Sequence, residues 1–318
     1  MLPLDSVIRS SGFFLRRRDL LALGYTDAHL RTALAQRRIF RVRQGWYSVP
    51  DAPDDAVMAV RVGGRLTGLS ALASFGLPVP RSSVLQVVVR PTASRLRNPV
   101  DRRVRLDDKA AVCVSWSDSK QTNESWRVTP RQALLAVLLA ETRDIAVACC
   151  SAAQRRKLVT ASVLDEVFAI APERVRGWRR LVSALDDSHG ETFVRLWLRD
   201  AHLPCQQQAR VPGVGRIDFR LSSHVYLEVD GAQHDPGWSG AEPGSWERDH
   251  DRDTTLAIRG DRVLRVTYRQ LYGDWPRVLA AIERAIADDA ALASRRRRHP
   301  YRPRGQQKRR RFAAKLPP

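Results

Sequence analysis

Cysteine pairs at zinc spacing are missing from this chain. Its four cysteines, Cys113, Cys149, Cys150 and Cys205, form no Cys-x-x-Cys, so a zinc site is not expected. Cys149 and Cys150 lie on an apolar segment and read as small core residues of a reducing cytoplasm. Long apolar runs are missing too. The most apolar stretch, Ala133 to Ala140, is far too short to span a bilayer. The first residues show no charged region leading into an apolar run and a cleavage site. A cytoplasmic chain without membrane contact is expected. There is no internal repeat and no Gly-rich phosphate loop. Lysine is scarce: only five of the 54 basic residues are Lys. A GC-rich genome accounts for that skew as much as function does, so the placement of charge says more than its total.

The placement is uneven. The 318 residues carry a formal net charge of +20, and that length suggests two or three domains. From Arg295 to Pro318 there are eleven Lys or Arg and no acid. Residues 186–288 hold 13 Arg against 17 Asp or Glu, a balance of −4. A mildly acidic segment is thus flanked by basic ones, which suits a polyanionic partner such as DNA.

The acidic segment holds the most informative residues. Arg216-Ile217-Asp218-Phe219 and Tyr226-Leu227-Glu228-Val229-Asp230-Gly231 read as two short strands around a turn at Ser222-Ser223-His224. Alternation puts Glu228 and Asp230 on one face, and an in-register hairpin adds Asp218. Converging carboxylates repel, and a hard divalent cation between them relieves that repulsion. The alternative is plain: acids on the solvent face of a hairpin are common. Downstream lie Gly231-Ala232-Gln233-His234, a helix expected from Trp246 to Ile258 carrying Glu247, Asp249, Asp251 and Asp253, and the alternating strand Arg262 to Thr267.

The order and these residues together resemble the PD-(D/E)XK nuclease superfamily, and within it the branch related to very-short-patch-repair (Vsr) endonucleases. The matching pieces are Glu191 at a helix start, Arg216 to Phe219, Glu228 to His234, Glu247 to Leu256, and Val263 to Thr267. They span Ser188 to Ala287. Asp230 stands where the wider superfamily carries Lys. The resemblance implies a Mg²⁺- or Mn²⁺-dependent endodeoxyribonuclease. Asp218, Glu228 and Asp230 would be the metal ligands, Glu191 would hold a metal-bound water, and His234 would be the general base. Arg252 would contact a phosphate or pair with an acid one turn away, and Asp249 and Asp253 would orient His234 or Arg252.

The first 50 residues form the second informative block. Short helices at Leu4–Ser10, Arg16–Leu23 and Asp27–Arg37, the last capped by Thr26, precede two strands, 39–43 and 45–49. Three helices and a hairpin make a winged helix-turn-helix. Nine Arg and two Asp between Arg9 and Arg43 suit phosphate contact. The block, from Leu20 through Tyr47 with Gly45 and Tyr47 in the turn, resembles the N-terminal winged helix of AbiEi-type antitoxins. That implies DNA contact by Arg31, Arg37, Arg38, Arg41 and Arg43, although a winged helix can equally serve as a protein-interaction module.

The expected architecture is multidomain α/β. It comprises a winged helix-turn-helix (1–52), a mixed α/β antitoxin-like scaffold (53–185), an αβββαβ restriction-endonuclease-like core (186–288) and a disordered basic tail (289–318). The scaffold's Arg-rich stretch Arg95 to Arg105 reads as a solvated loop. The expected function is Mg²⁺-dependent DNA hydrolysis in repair or defence. The alternative is a DNA-binding regulator or antitoxin-like protein with an inactive nuclease fold. An RNA substrate, a cognate toxin and a homodimer stay open.

Overall fold

A computed structural model describes residues 2–80, 84–118, 126–230 and 245–298, with side chains from 250 to 295 in the last stretch. The chain divides into two compact units, Met1–Trp197 and Leu198–Pro318.

The first unit opens with α1 (Leu4–Ser10), β1 (Phe14–Arg16), α2 (Arg17–Ala22), α3 (Asp27–Ala35), β2 (Phe40–Arg43) and β3 (Trp46–Ser48). Local chemistry explains α3. Thr26 accepts the His29 amide (3.3 Å) while His29 Nδ1 accepts the Thr26 amide (3.2 Å), a reciprocal cap at the helix start. Leu30 and Ala33, on one helical stripe, are fully buried. The expected helix at 16–23 is shorter, because Phe14–Arg16 pairs antiparallel with β3 and makes a three-stranded sheet of order β1-β3-β2. Tertiary pairing overrode the local helical pattern there.

The unit continues with α4 (Asp54–Val62), β4 (Arg65–Leu66), α5 (Gly68–Ser74), β5 (Leu85–Val89), β6 (Val112–Trp116), α6 (Pro130–Ala140), α7 (Arg143–Arg155), α8 (Ala161–Ile170), α9 (Glu173–Arg176) and a 3₁₀ turn (Gly177–Leu181). Strand β5 joins β4 antiparallel and β6 parallel. Pro130 starts α6 behind the Thr129 cap, where its missing N–H costs nothing. One hydrophobic core runs from Leu4 to Val175. The boundary expected at 52/53 therefore separates no core, since apolar residues on both sides pack together.

Helix α10 (His189–Asp200) carries the division between the units, at Trp197/Leu198, rather than at 185/186. The second unit then holds β7 (Gln206–Val211), β8 (Gly215–Arg220), β9 (Val225–Asp230), α11 (Ser245–Arg259), β10 (Arg262–Thr267), α12 (Tyr268–Gly273) and α13 (Trp275–Arg298). Its sheet has the order β10-β9-β8-β7, with β10 parallel to β9 and the other neighbours antiparallel. This is the expected succession of helix, three strands, helix, strand and helix. The expected disordered tail from 289 is corrected: α13 stays helical through Arg298, its buried Val278, Ile282 and Ala285 recurring at three to four residues. The rest of the tail lies outside the described residues. Among those residues no helix is long and apolar enough to cross a membrane.

Candidate active site

The acids of β8 and β9 are placed by how the hairpin ends. Leu221 donates to the Val225 carbonyl (2.8 Å) and closes the turn. Arg220 then pairs with Tyr226, and Phe219 with Leu227. Main-chain pairing stops at Asp218, whose Oδ2 accepts the Val229 amide (2.9 Å). A side chain thus replaces a ladder bond, and it holds Asp218 beside Glu228.

Glu228 is half-buried. Its Oε1 accepts from Arg252 Nη2 of α11, and its Oε2 lies 3.5 Å from Arg265 Nε, the residue opposite it on β10. Burial pushes the Glu228 carboxyl up, Arg252 pulls it down, Asp218 pushes it up again and Arg265 lowers it, with a net rise above the usual carboxylate value. Desolvation and a like charge therefore outweigh two guanidiniums. Asp253 of α11 bonds Arg265, which holds the Asp253 carboxyl below and the Arg265 guanidinium above their ordinary values. Helix α11 is seated by Leu256, buried against Ala209, Val211, Ile217 and Tyr226. Arg252, one turn earlier, also donates to the Arg216 carbonyl (2.9 Å).

Several expectations change on this geometry. Arg252 does not pair one turn away: its acid is Glu228 on β9, because α11 lies along the sheet. Asp253 does not orient Arg252; it holds Arg265, for which no role was expected. Only an alternating strand beside Glu228 hinted at Arg265, since register selects which residue of β10 meets that acid. Asp230 sits at the end of β9, opposite Thr267, and makes no ion pair among the described residues. His234 lies outside the described residues, as do the side chains of Glu247 and Asp249. Glu191 belongs to the first unit and is nearly fully buried. Its Oε2 accepts the Asp187 amide (2.9 Å) while Ser188 Oγ accepts the Glu191 amide (3.1 Å), so it closes the start of α10.

In the N-terminal segment α1 to β3, Arg31 and Arg37 are exposed. Arg38 is tied to Asp5 (3.1 Å). Arg41 lies over the Tyr47 ring (5.7 Å), and Arg43 donates to the Arg95 carbonyl (3.1 Å).

The donor set fits a divalent cation in part. Asp218 and Glu228 are neighbouring hard oxygen donors whose repulsion a cation would relieve. Yet no group of three His, Cys, Asp or Glu among the described residues is placed to hold a metal ion, and Arg252 occupies Glu228 Oε1.

No protein-family model matches the chain. No curated protein matches it. Among solved structures, the Homing Endonuclease I-Bth0305I Catalytic Domain is similar at 22% identity and a TM-score of 0.25, over 30% of this chain and 89% of that one. A likeness at that score is distant and leaves the fold family of this chain unassigned.

Proposed function

We propose that the second unit is a metal-dependent endodeoxyribonuclease of the Vsr-like kind, joined to a DNA-binding winged helix of the AbiEi-like kind. The observation that supports this reading is the Asp218–Glu228 pair. Two acids lie side by side where a strand pair opens, and the net push on Glu228 is toward protonation. Adjacent carboxylates repel one another, and a cation between them relieves that repulsion. Asp218 and Glu228, with Asp230 on the same strand as Glu228, would hold Mg²⁺ or Mn²⁺. When bound, the cation would polarise the scissile phosphate and lower the pKa of an attacking water. Arg252 and Arg265 are the guanidiniums at hand for a phosphate oxygen once they let go of Glu228. His234 is retained as the proposed base; Glu191, which closes the start of α10 in the first unit, is given no part in this site.

One observation favours a second reading. Two guanidiniums already sit on Glu228, as in a site closed for structure rather than open for a cation. That suits a regulator or antitoxin-like protein whose nuclease fold is inactive.

Nicking of supercoiled plasmid in Mg²⁺, Mn²⁺ or EDTA separates the two, with an RNA substrate run alongside. The nuclease reading expects metal-dependent nicking by wild type and none by Asp218→Ala. It also expects a metal-dependent rise in melting temperature that Asp218→Asn loses. Wild type that shows neither nicking nor a thermal shift with either metal points to the regulator.

A further inference from the structure

The wing hairpin β2–β3 meets the segment 95–105 over a surface rich in arginine. Arg102 Nη1 donates to the Arg41 carbonyl (3.0 Å), and Arg43 Nη2 to the Arg95 carbonyl (3.1 Å). From α4, Arg61 Nη1 donates to the carbonyls of Pro99 (2.7 Å) and Val100 (2.8 Å). These bonds pin a stretch that the sequence marks only as a solvated loop. Between it and the hairpin lies an open cleft of about 340 Å³, lined by Arg41, Arg43, Arg95, Arg97, Arg102 and Arg103 together with Gln44.

No carboxylate lines that cleft, and none of these six arginines forms an ion pair among the described residues. Elsewhere in the same unit, arginines do pair: Arg9 with Asp51, Arg17 with Asp27, Arg38 with Asp5. Two of the nearby acids accept main-chain amides, and Asp107 and Asp108 line the neighbouring cavity beside Arg95 and Arg97. Asp101 accepts from Arg103 N (2.8 Å) and Asp107 from Ala110 N (3.1 Å). The crowding has a cost. Burial and then Arg97 lower the Arg43 guanidinium below its ordinary value, and burial and then Arg102 do the same to Arg61. Gly63 permits the approach: at φ 115° it ends α4, and a Cβ there would fall 2.0 Å from Arg43 Nη1. A second cleft of about 330 Å³ shares Arg43 and Gln44 and carries the basic surface on to Arg16, Arg65 and Arg90.

A solvated charge run spreads its charges apart, whereas these are drawn into a concavity that repels itself without an anion. We propose that the cleft between the wing and the segment 95–105 is a binding track for the phosphodiester backbone of a nucleic acid. Arginine forks fit phosphate oxygens two at a time. Such contacts supply affinity and salt dependence while base contacts supply sequence preference. The proposal rests on the DNA-binding part of the function above and is independent of cleavage. A flat lipid surface suits a concave cleft less well, so anionic vesicles serve as the competing arm.

The test measures binding of the full chain to a labelled DNA duplex in EDTA, so that a failure of the nuclease reading leaves it intact. Arg95→Gln/Arg103→Gln removes two exposed charges whose side chains make no hydrogen bond within the described residues. The slope of log affinity against log salt should become shallower by about two. Between about 50 and 200 mM salt, wild type should lose roughly tenfold more affinity than the variant. Arg95→Lys/Arg103→Lys should keep the wild-type slope, and so should Arg174→Gln/Arg180→Gln, the same charge change at exposed positions on and just after α9. Wild type that binds no duplex, a slope unmoved by the first variant, or an equal change in the α9 pair would overturn the proposal. So would a first variant that loses binding to phosphatidylserine vesicles but keeps its grip on DNA.

Discussion

Arg252 on α11 reaches Glu228 on β9, and the pair joins a helix to the middle of the second unit's sheet. Arg252 is 25% exposed and Glu228 15%, so both are largely removed from water. Breaking one side strands the other. Arg252→Gln and Glu228→Gln, measured by urea unfolding singly and together, should show a coupling of about 1–3 kcal/mol. A coupling near zero would mean that Arg265 alone holds Glu228.

Glu228 also makes stability depend on pH. Its carboxyl is raised in the folded state, first by burial. Above the ordinary carboxylate value the folded chain therefore holds more protons than the unfolded one, and stability falls as pH rises through that window. Glu228→Gln removes the term. Its urea midpoint should gain on that of wild type as pH rises above the ordinary carboxylate value. A gap that is constant with pH counts against the raised value.

His189, at the start of α10, moves the opposite way. Burial lowers it to about 4, and its Nε2 finds no partner among the described residues. The unfolded chain then binds the extra proton, so stability is full above the ordinary histidine value and is lost as pH falls toward 4. The loss should be on the order of 3 kcal/mol. A neutral replacement such as His189→Gln should flatten the unfolding midpoint over that range, and an unchanged acid slope would show that other groups carry it.

Burial also decides thiol reactivity. Cys150 is pushed up to about 12 and Cys149 well above its ordinary value, both by desolvation. Cys113 is exposed on β6. Alkylation of the native protein at about pH 8 should label Cys113 and spare the buried pair until denaturant is added. Labelling of Cys149 or Cys150 in the folded protein would place an opening at α7.

How much could be read in advance differs from residue to residue. The order of elements in the second unit, the hairpin turn at Ser222–His224, and the caps at Thr26 and Thr129 follow from local chemistry: alternation, turn residues and side-chain oxygens that meet amides three residues on. The closeness of Asp218 to Glu228 follows from a short hairpin. Those relations join residues near in sequence, so the sequence by itself determined them. Pairing across long separations was decided by the tertiary structure. Arg252 meets Glu228 because Leu256 seats α11 on the sheet. Arg265 meets the same acid because parallel pairing sets the register of β10. Phe14–Arg16 becomes a strand because β3 offers it a free edge. Arg95 to Arg105 forms one wall of a cleft because Arg43, Arg61 and Arg102 bind main-chain carbonyls far along the chain. The reason is physical. A guanidinium has several acceptors within reach of its own local pattern, and only the packed core selects which one it meets.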